Sequence, residues 1–117
     1  MRKGYIKKID SMRELRELLC AEYNLLDYLP DQCIGHAFIL LNMACKRDKR
    51  LDDLRWNICN GSGIKSHDKE AFKRGAYYTC TISGRTMGSK TIWAEGETAS
   101  HAITKAVGLL RGYTVDE

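Results

Sequence analysis

Cysteine and histidine are the residues of this chain best suited to chemistry, and their spacing limits what they can do. Cys33 and His36 stand three apart, and Cys45, Cys59 and His67 follow at irregular intervals. Such side chains bind zinc, but the common frames bring ligands in close pairs. No Cys-x-x-Cys pair exists here, and the other spacings match no zinc frame. No metal and no cofactor are therefore expected. A nucleophilic thiol needs its pKa lowered by a helix N-terminus or a nearby base. Cys33, near a predicted helix start and near His36, is the best placed of the five cysteines.

Other catalytic signatures are missing. There is no Gly-x-Ser-x-Gly, no His-Glu-x-x-His and no phosphate-cradling glycine loop; Gly61-Ser62-Gly63 is too short to be one. Asp52, Asp53, Asp68, Glu70, Glu95 and Glu97 read as a solvated surface, though a carboxylate pair assembled in space stays open. The main expectation is a protein that is not an enzyme. A small cysteine-dependent or carboxylate-dependent enzyme stands as an alternative.

Nineteen Lys and Arg against fifteen Asp and Glu give a net charge of +4, an excess that suits nucleic acid or an acidic protein partner. Lys46, Arg47, Lys49 and Arg50 cluster at a helix end, and Arg74, Arg85 and Lys90 fall around a glycine-containing hairpin. Lys and Arg so grouped displace the counterions condensed on phosphates. They also favour a helix C-terminus, and a solubilising surface, without any ligand. These seven residues are the candidate contacts to a partner or to nucleic acid. Exposed aromatics such as Trp56 or Tyr77 are candidates for a protein-contact hot spot.

The elements that must position these residues can be read from pattern. The 117 residues make one domain, 1–117, with a single proline and no linker-like stretch. The longest apolar run, Ala37–Leu41, is too short to cross a bilayer. The basic start MRKGYIKKIDSM lacks the apolar core of a signal peptide. Five cysteines, odd in number and mostly among apolar neighbours, read as buried thiols in a reducing compartment. A cytoplasmic location without membrane contact is expected.

Residues 4–9 read as a short strand. Ser11 and Glu14 form a capping box ahead of a helix whose apolar face is Met12, Leu15, Leu19, Tyr23 and Leu26, widened by Leu18 and Leu25. Asp31 is placed to cap a second helix, Cys33–Cys45, apolar nearly all round and so expected at the centre of the core. Leu51, Leu54 and Ile58 predict a third helix, and residues 68–74 a short polar one. Residues 77–82 and 90–94 predict a hairpin with Tyr78, Cys80, Ile82, Ile92 and Ala94 on one face. Thr98 should cap a last helix, with Ala99, Ala102, Ile103, Ala106, Val107 and Leu110 as its inner stripe and Gly112 as its stop.

The order strand, hairpin, strand, then EGETASHAITKAVGLL resembles the end of a double-stranded-RNA-binding domain, over about the last third of the chain. The resemblance implies a small residue capping a helix whose alanine-rich face covers a sheet. That family carries paired lysines in the first turn of this helix, where this chain has Ala99, Ser100 and His101, so RNA binding is not carried over. The chain is also similar to small phage-encoded accessory proteins, compact α+β sandwiches with a terminal helix opening in a Thr-Ala type start. Some of those bind and block bacterial defence complexes.

Together these readings predict an α+β fold. A helical N-terminal half precedes a hairpin or small antiparallel sheet, joined as a third strand by residues 4–9 and covered by the C-terminal helix. The expected function is a binding protein that occupies a surface of a protein or protein–nucleic-acid complex, as an inhibitor of a nucleic-acid-handling complex would. Direct nucleic-acid binding is the first alternative. Oligomeric state stays open.

Overall fold

The computed structural model describes residues 6–47, 55–59, 78–83 and 91–116. The elements are β1 (Lys7–Ile9), α1 (Met12–Glu22), α2 (Ile34–Arg47), β2 (Arg55–Cys59), β3 (Tyr78–Ser83), β4 (Ile92–Gly96), α3 (Ala99–Leu110) and β5 (Tyr113–Val115). The fold is α+β. Strands β2, β3 and β4 form an antiparallel sheet in that order, and β1 pairs with β5 in parallel.

Helix α1 begins where the capping residue predicts. Ser11 is extended, and its hydroxyl accepts the Glu14 N–H at 3.2 Å, satisfying a donor the first turn leaves free. Met12, Leu15, Leu19 and Cys20 are buried along the helix, and Tyr23 just beyond it. Leu26 does not continue that face and is 76% exposed. Asn24 takes a left-handed backbone (φ 60°), which ends the helical register and turns Leu25 inward in its place. Leu18 is exposed as well and does not widen the buried stripe.

Asp31 is not the cap of α2. Both its carboxylate oxygens accept from Arg16 Nη1 at 3.2 Å, tying α1 to the loop before α2. Helix α2 starts later, at Ile34, with the Cys33 carbonyl taking the Ala37 N–H at 2.9 Å. The expectation that α2 is buried all round is also corrected. Ala37, Leu40, Leu41 and Ala44 lie in the core, but Ile34, Ile39 and Met43 are exposed. Its packing neighbours, α3 and the β2 edge, meet only part of its circumference.

The sheet follows from alternation. Ile82 stands opposite Ile92, Cys80 opposite Ala94 and Tyr78 opposite Gly96, the inward set expected for the hairpin. The third strand is not residues 4–9. Of these, Lys7–Ile9 pairs with Tyr113–Val115, a strand beyond the last helix. The third strand is Arg55–Cys59, in the segment expected to be the third helix. There Trp56 and Ile58 alternate with Asn57 and Cys59, and pairing to β3 prevails over the helical spacing of Leu51, Leu54 and Ile58. The expected polar helix at 68–74 lies outside the described residues, as do Leu51 and Leu54.

Helix α3 closes the sheet. The Thr98 hydroxyl accepts the His101 N–H at 3.1 Å, and Gly112 ends the helix with a left-handed φ of 90°. Ala102, Ile103, Ala106 and Val107 are fully buried against β3, β4 and α2. The alanines let the backbones approach closely. A Cβ built on Gly96 of β4 would stand 2.9 Å from the Ala102 nitrogen.

Candidate functional site

Of the cysteine–histidine candidate, the histidine is engaged within the fold. His36 Nδ1 accepts the Leu29 N–H at 2.9 Å, and its ring lies against Tyr28 with centroids 4.5 Å apart. A ring nitrogen that accepts from an amide keeps its lone pair there, so the neutral ring's proton sits on Nε2. Nδ1 is thus occupied by the backbone. All five thiols are free of disulfides. Burial raises the thiols of Cys20 and Cys45, and pushes Cys80 up to about 12, with the nearby Cys45 adding to it. A raised pKa removes thiolate, the nucleophilic form. Among the described residues no three His, Cys, Asp or Glu side chains converge as a metal ion would need.

A depression of about 450 Å³ opens between β1 and α1, lined by Lys7, Lys8, Ile9, Asp10, Glu14, Glu17, Leu18 and Ala21. Lys8 turns to Asp116 at 2.9 Å and Glu17 to Arg13 at 3.4 Å. Lys8 and Glu17 are thus each engaged by a partner that is not among the lining residues. Glu95, read as a solvated carboxylate, is half-buried on β4, and Glu97 is exposed.

Of the seven basic candidates, Lys46 is exposed in the last turn of α2, and Arg47 ends that helix. Lys49, Arg50, Arg74, Arg85 and Lys90 lie outside the described residues, as does Tyr77.

The aromatic candidate Trp56 has the clearest geometry. It sits on β2, an edge strand of the sheet, and is 40% exposed. Its ring meets Phe38 of α2 with centroids 5.4 Å apart and planes tilted by 47°. Phe38 thus backs Trp56 from within, while the strand's outer edge carries backbone groups that no described strand pairs. Trp93 is also exposed, but it alternates with the inward Ala94 and so lies on the sheet face away from α3. The alternation of Trp56 and Ile58 with Asn57 and Cys59 is the one signal in the sequence that could have found this strand, and the helical spacing of Leu51, Leu54 and Ile58 masked it.

No protein-family model, curated protein or solved structure matches the chain.

Proposed function

We propose that this protein is a non-enzymatic binder that acts by occupying a surface of a macromolecular partner. The carrying observation is Trp56, an exposed indole on an edge strand, held in orientation by Phe38. Hot spots of protein interfaces are rich in such aromatics, because a ring already held by its neighbours loses little freedom on binding. The edge of β2, which no described strand pairs, adds backbone groups able to pair with an extended segment of a partner. The hydrogen bond that the Leu29 N–H gives to His36 Nδ1 engages the ring nearest in sequence to Cys33 within the fold, which supports binding over covalent chemistry. The net charge of +4 favours a partner with acidic or phosphate-bearing surface, as in a complex that handles nucleic acid.

Immobilised parent protein, Trp56→Ala and Trp93→Ala are compared for capture from an extract of the native host. A discrete protein held by the parent and by Trp93→Ala, and lost from a folded Trp56→Ala, is the expected result. Retention by Trp56→Ala overturns the assignment. Gel retardation of nucleic acid by the parent alone, falling steeply with salt and lost on reversing Lys46, Arg47, Lys49 and Arg50, would replace it with direct nucleic-acid binding.

A further inference from the structure

The outer side of α2 is composed unlike a solvated helix face. Gly35, Ile39, Asn42, Met43 and Lys46 recur at steps of three and four and are exposed, and Lys46 is the first charge along them. Leu29, also exposed, is held beside this side of the helix through its N–H bond to His36. A run of exposed apolar and small residues without charge is the composition of an interface core.

We infer that this side of α2 joins a second copy of the chain in an antiparallel, two-fold pair. The polarity of the surface selects a copy of itself. Lys46 stands at one end; at the other, Tyr28 packs on His36 and Leu29 donates to it, which sets the adjoining exposed Asp27 at that end. Placing the two-fold axis midway between Ile39 and Met43 puts it level with residue 41. Lys46 then lies five residues, or about 7.5 Å, beyond the axis. The same distance before the axis is residue 36, where the Leu29–His36 bond anchors the loop bearing Asp27. Each Lys46 therefore meets the other copy's Asp27, and opposed helix dipoles add to the attraction. Asn42, beside the axis, offers both a donor and an acceptor to its own mate. A two-fold interface requires this kind of self-complementarity.

The inference does not rest on the partner reading. Phe38, which backs Trp56, lies about 100° or more round α2 from Ile39 and Met43.

Sedimentation equilibrium of the full chain, up to about 1 mM, should show twice the 13.3 kDa mass of one copy. Ile39→Glu and Met43→Glu should each weaken the pair about tenfold or more while circular dichroism stays unchanged. Asp27→Asn keeps a residue suited to the left-handed backbone (φ 66°) and should weaken it less. Lys46→Glu should weaken pairing strongly in the parent and much less in Asp27→Asn, because the like charges then no longer meet. A single-copy mass throughout the range overturns the inference. So does a pair indifferent to Ile39→Glu and Met43→Glu, or equal effects of Lys46→Glu in both backgrounds.

Discussion

Arg16 Nη1 reaches both carboxylate oxygens of Asp31, at 3.2 Å each, across fifteen residues of chain. Only 16% of one side chain and 8% of the other is exposed. Such a pair is costly to break and of small net worth when replaced whole, because removing one partner strands a poorly solvated charge. Asp31→Ala should therefore lower stability by about 3 kcal/mol. The double change Arg16→Met with Asp31→Leu should recover most of that loss. Urea unfolding of the two variants and the parent checks both statements; a double change as damaging as the single one would show that the link itself is needed.

The Cys80 thiol gives the fold a one-sided pH response. Burial first, and the nearby Cys45 second, raise it from 9.0 to about 12. The folded state thus holds this proton more tightly than the unfolded chain. The contribution is complete below about pH 9 and is lost as pH rises toward 12, at up to about 1.4 kcal/mol per pH unit. Cys80→Val lacks the group. Between about pH 8 and pH 10.5 the parent should lose stability faster than this variant. Curves that run parallel would mean the thiol titrates as it does in the unfolded chain.

Accessibility orders the thiols for alkylation. Cys20 and Cys80 are buried, whereas Cys33 is half-buried at the start of α2. Iodoacetamide on the native protein, followed by peptide mass spectrometry, should modify Cys33 well before Cys80. Equal rates would require the sheet to open on the timescale of labelling.

Two glycines differ in what surrounds them. A Cβ on Gly96 meets the Ala102 nitrogen and the His101 ring and Cβ, all at 2.9 Å, so β4 and α3 would have to separate. Gly96→Ala should cost about 3 kcal/mol. A Cβ on Gly108 meets the methyl ends of Leu15 at 3.0 and 3.2 Å. Leu15 has side-chain torsions with which to give way, and alanine gains about 1 kcal/mol over glycine inside a helix. Gly108→Ala should stay within about 1 kcal/mol of the parent. Thermal unfolding of the pair decides the ranking, and an equal loss would show Leu15 to be immovable.

Capping by Thr98 makes a smaller and separable contribution. Its hydroxyl accepts the His101 N–H, and no acidic residue supports the first turn of α3. Thr98→Ala should cost about 1 kcal/mol and Thr98→Ser almost nothing. Equal losses in the two variants would point to the methyl group instead.

Local signals were legible where one residue type dictates one geometry. Ser11 and Thr98 start their helices, Gly112 stops α3, and the Tyr78–Ile82 alternation matches that of Ile92 and Ala94. What escaped was set by partners far along the chain. Asp31 carries a good capping side chain, but Arg16 takes it. Leu26 fits the α1 stripe by spacing, but the left-handed turn at Asn24 sends it outward. Residues 55–59 sit within a helical spacing, and their strand identity comes from β3. At the candidate site, Trp56 could be named from its type alone. Its backing by Phe38 depends on two elements meeting in space, which no spacing records. Of the basic candidates, the described residues place the side chain of Lys46 alone.

Among the described residues, strand β1 finds its mate in β5, with Lys7 beside Tyr113 and Ile9 beside Val115. On the ribosome, which releases a chain from its N-terminal side, β1 must wait until β5, about a hundred residues further along, has emerged. Helices and hairpin can assemble from neighbouring stretches in the meantime, since short loops close at little entropic cost. The β1–β5 seam thus joins after the helices and the hairpin. Until it closes, Ile9 stays wet, and a quality-control protease meets a loose strand beside elements that are already packed.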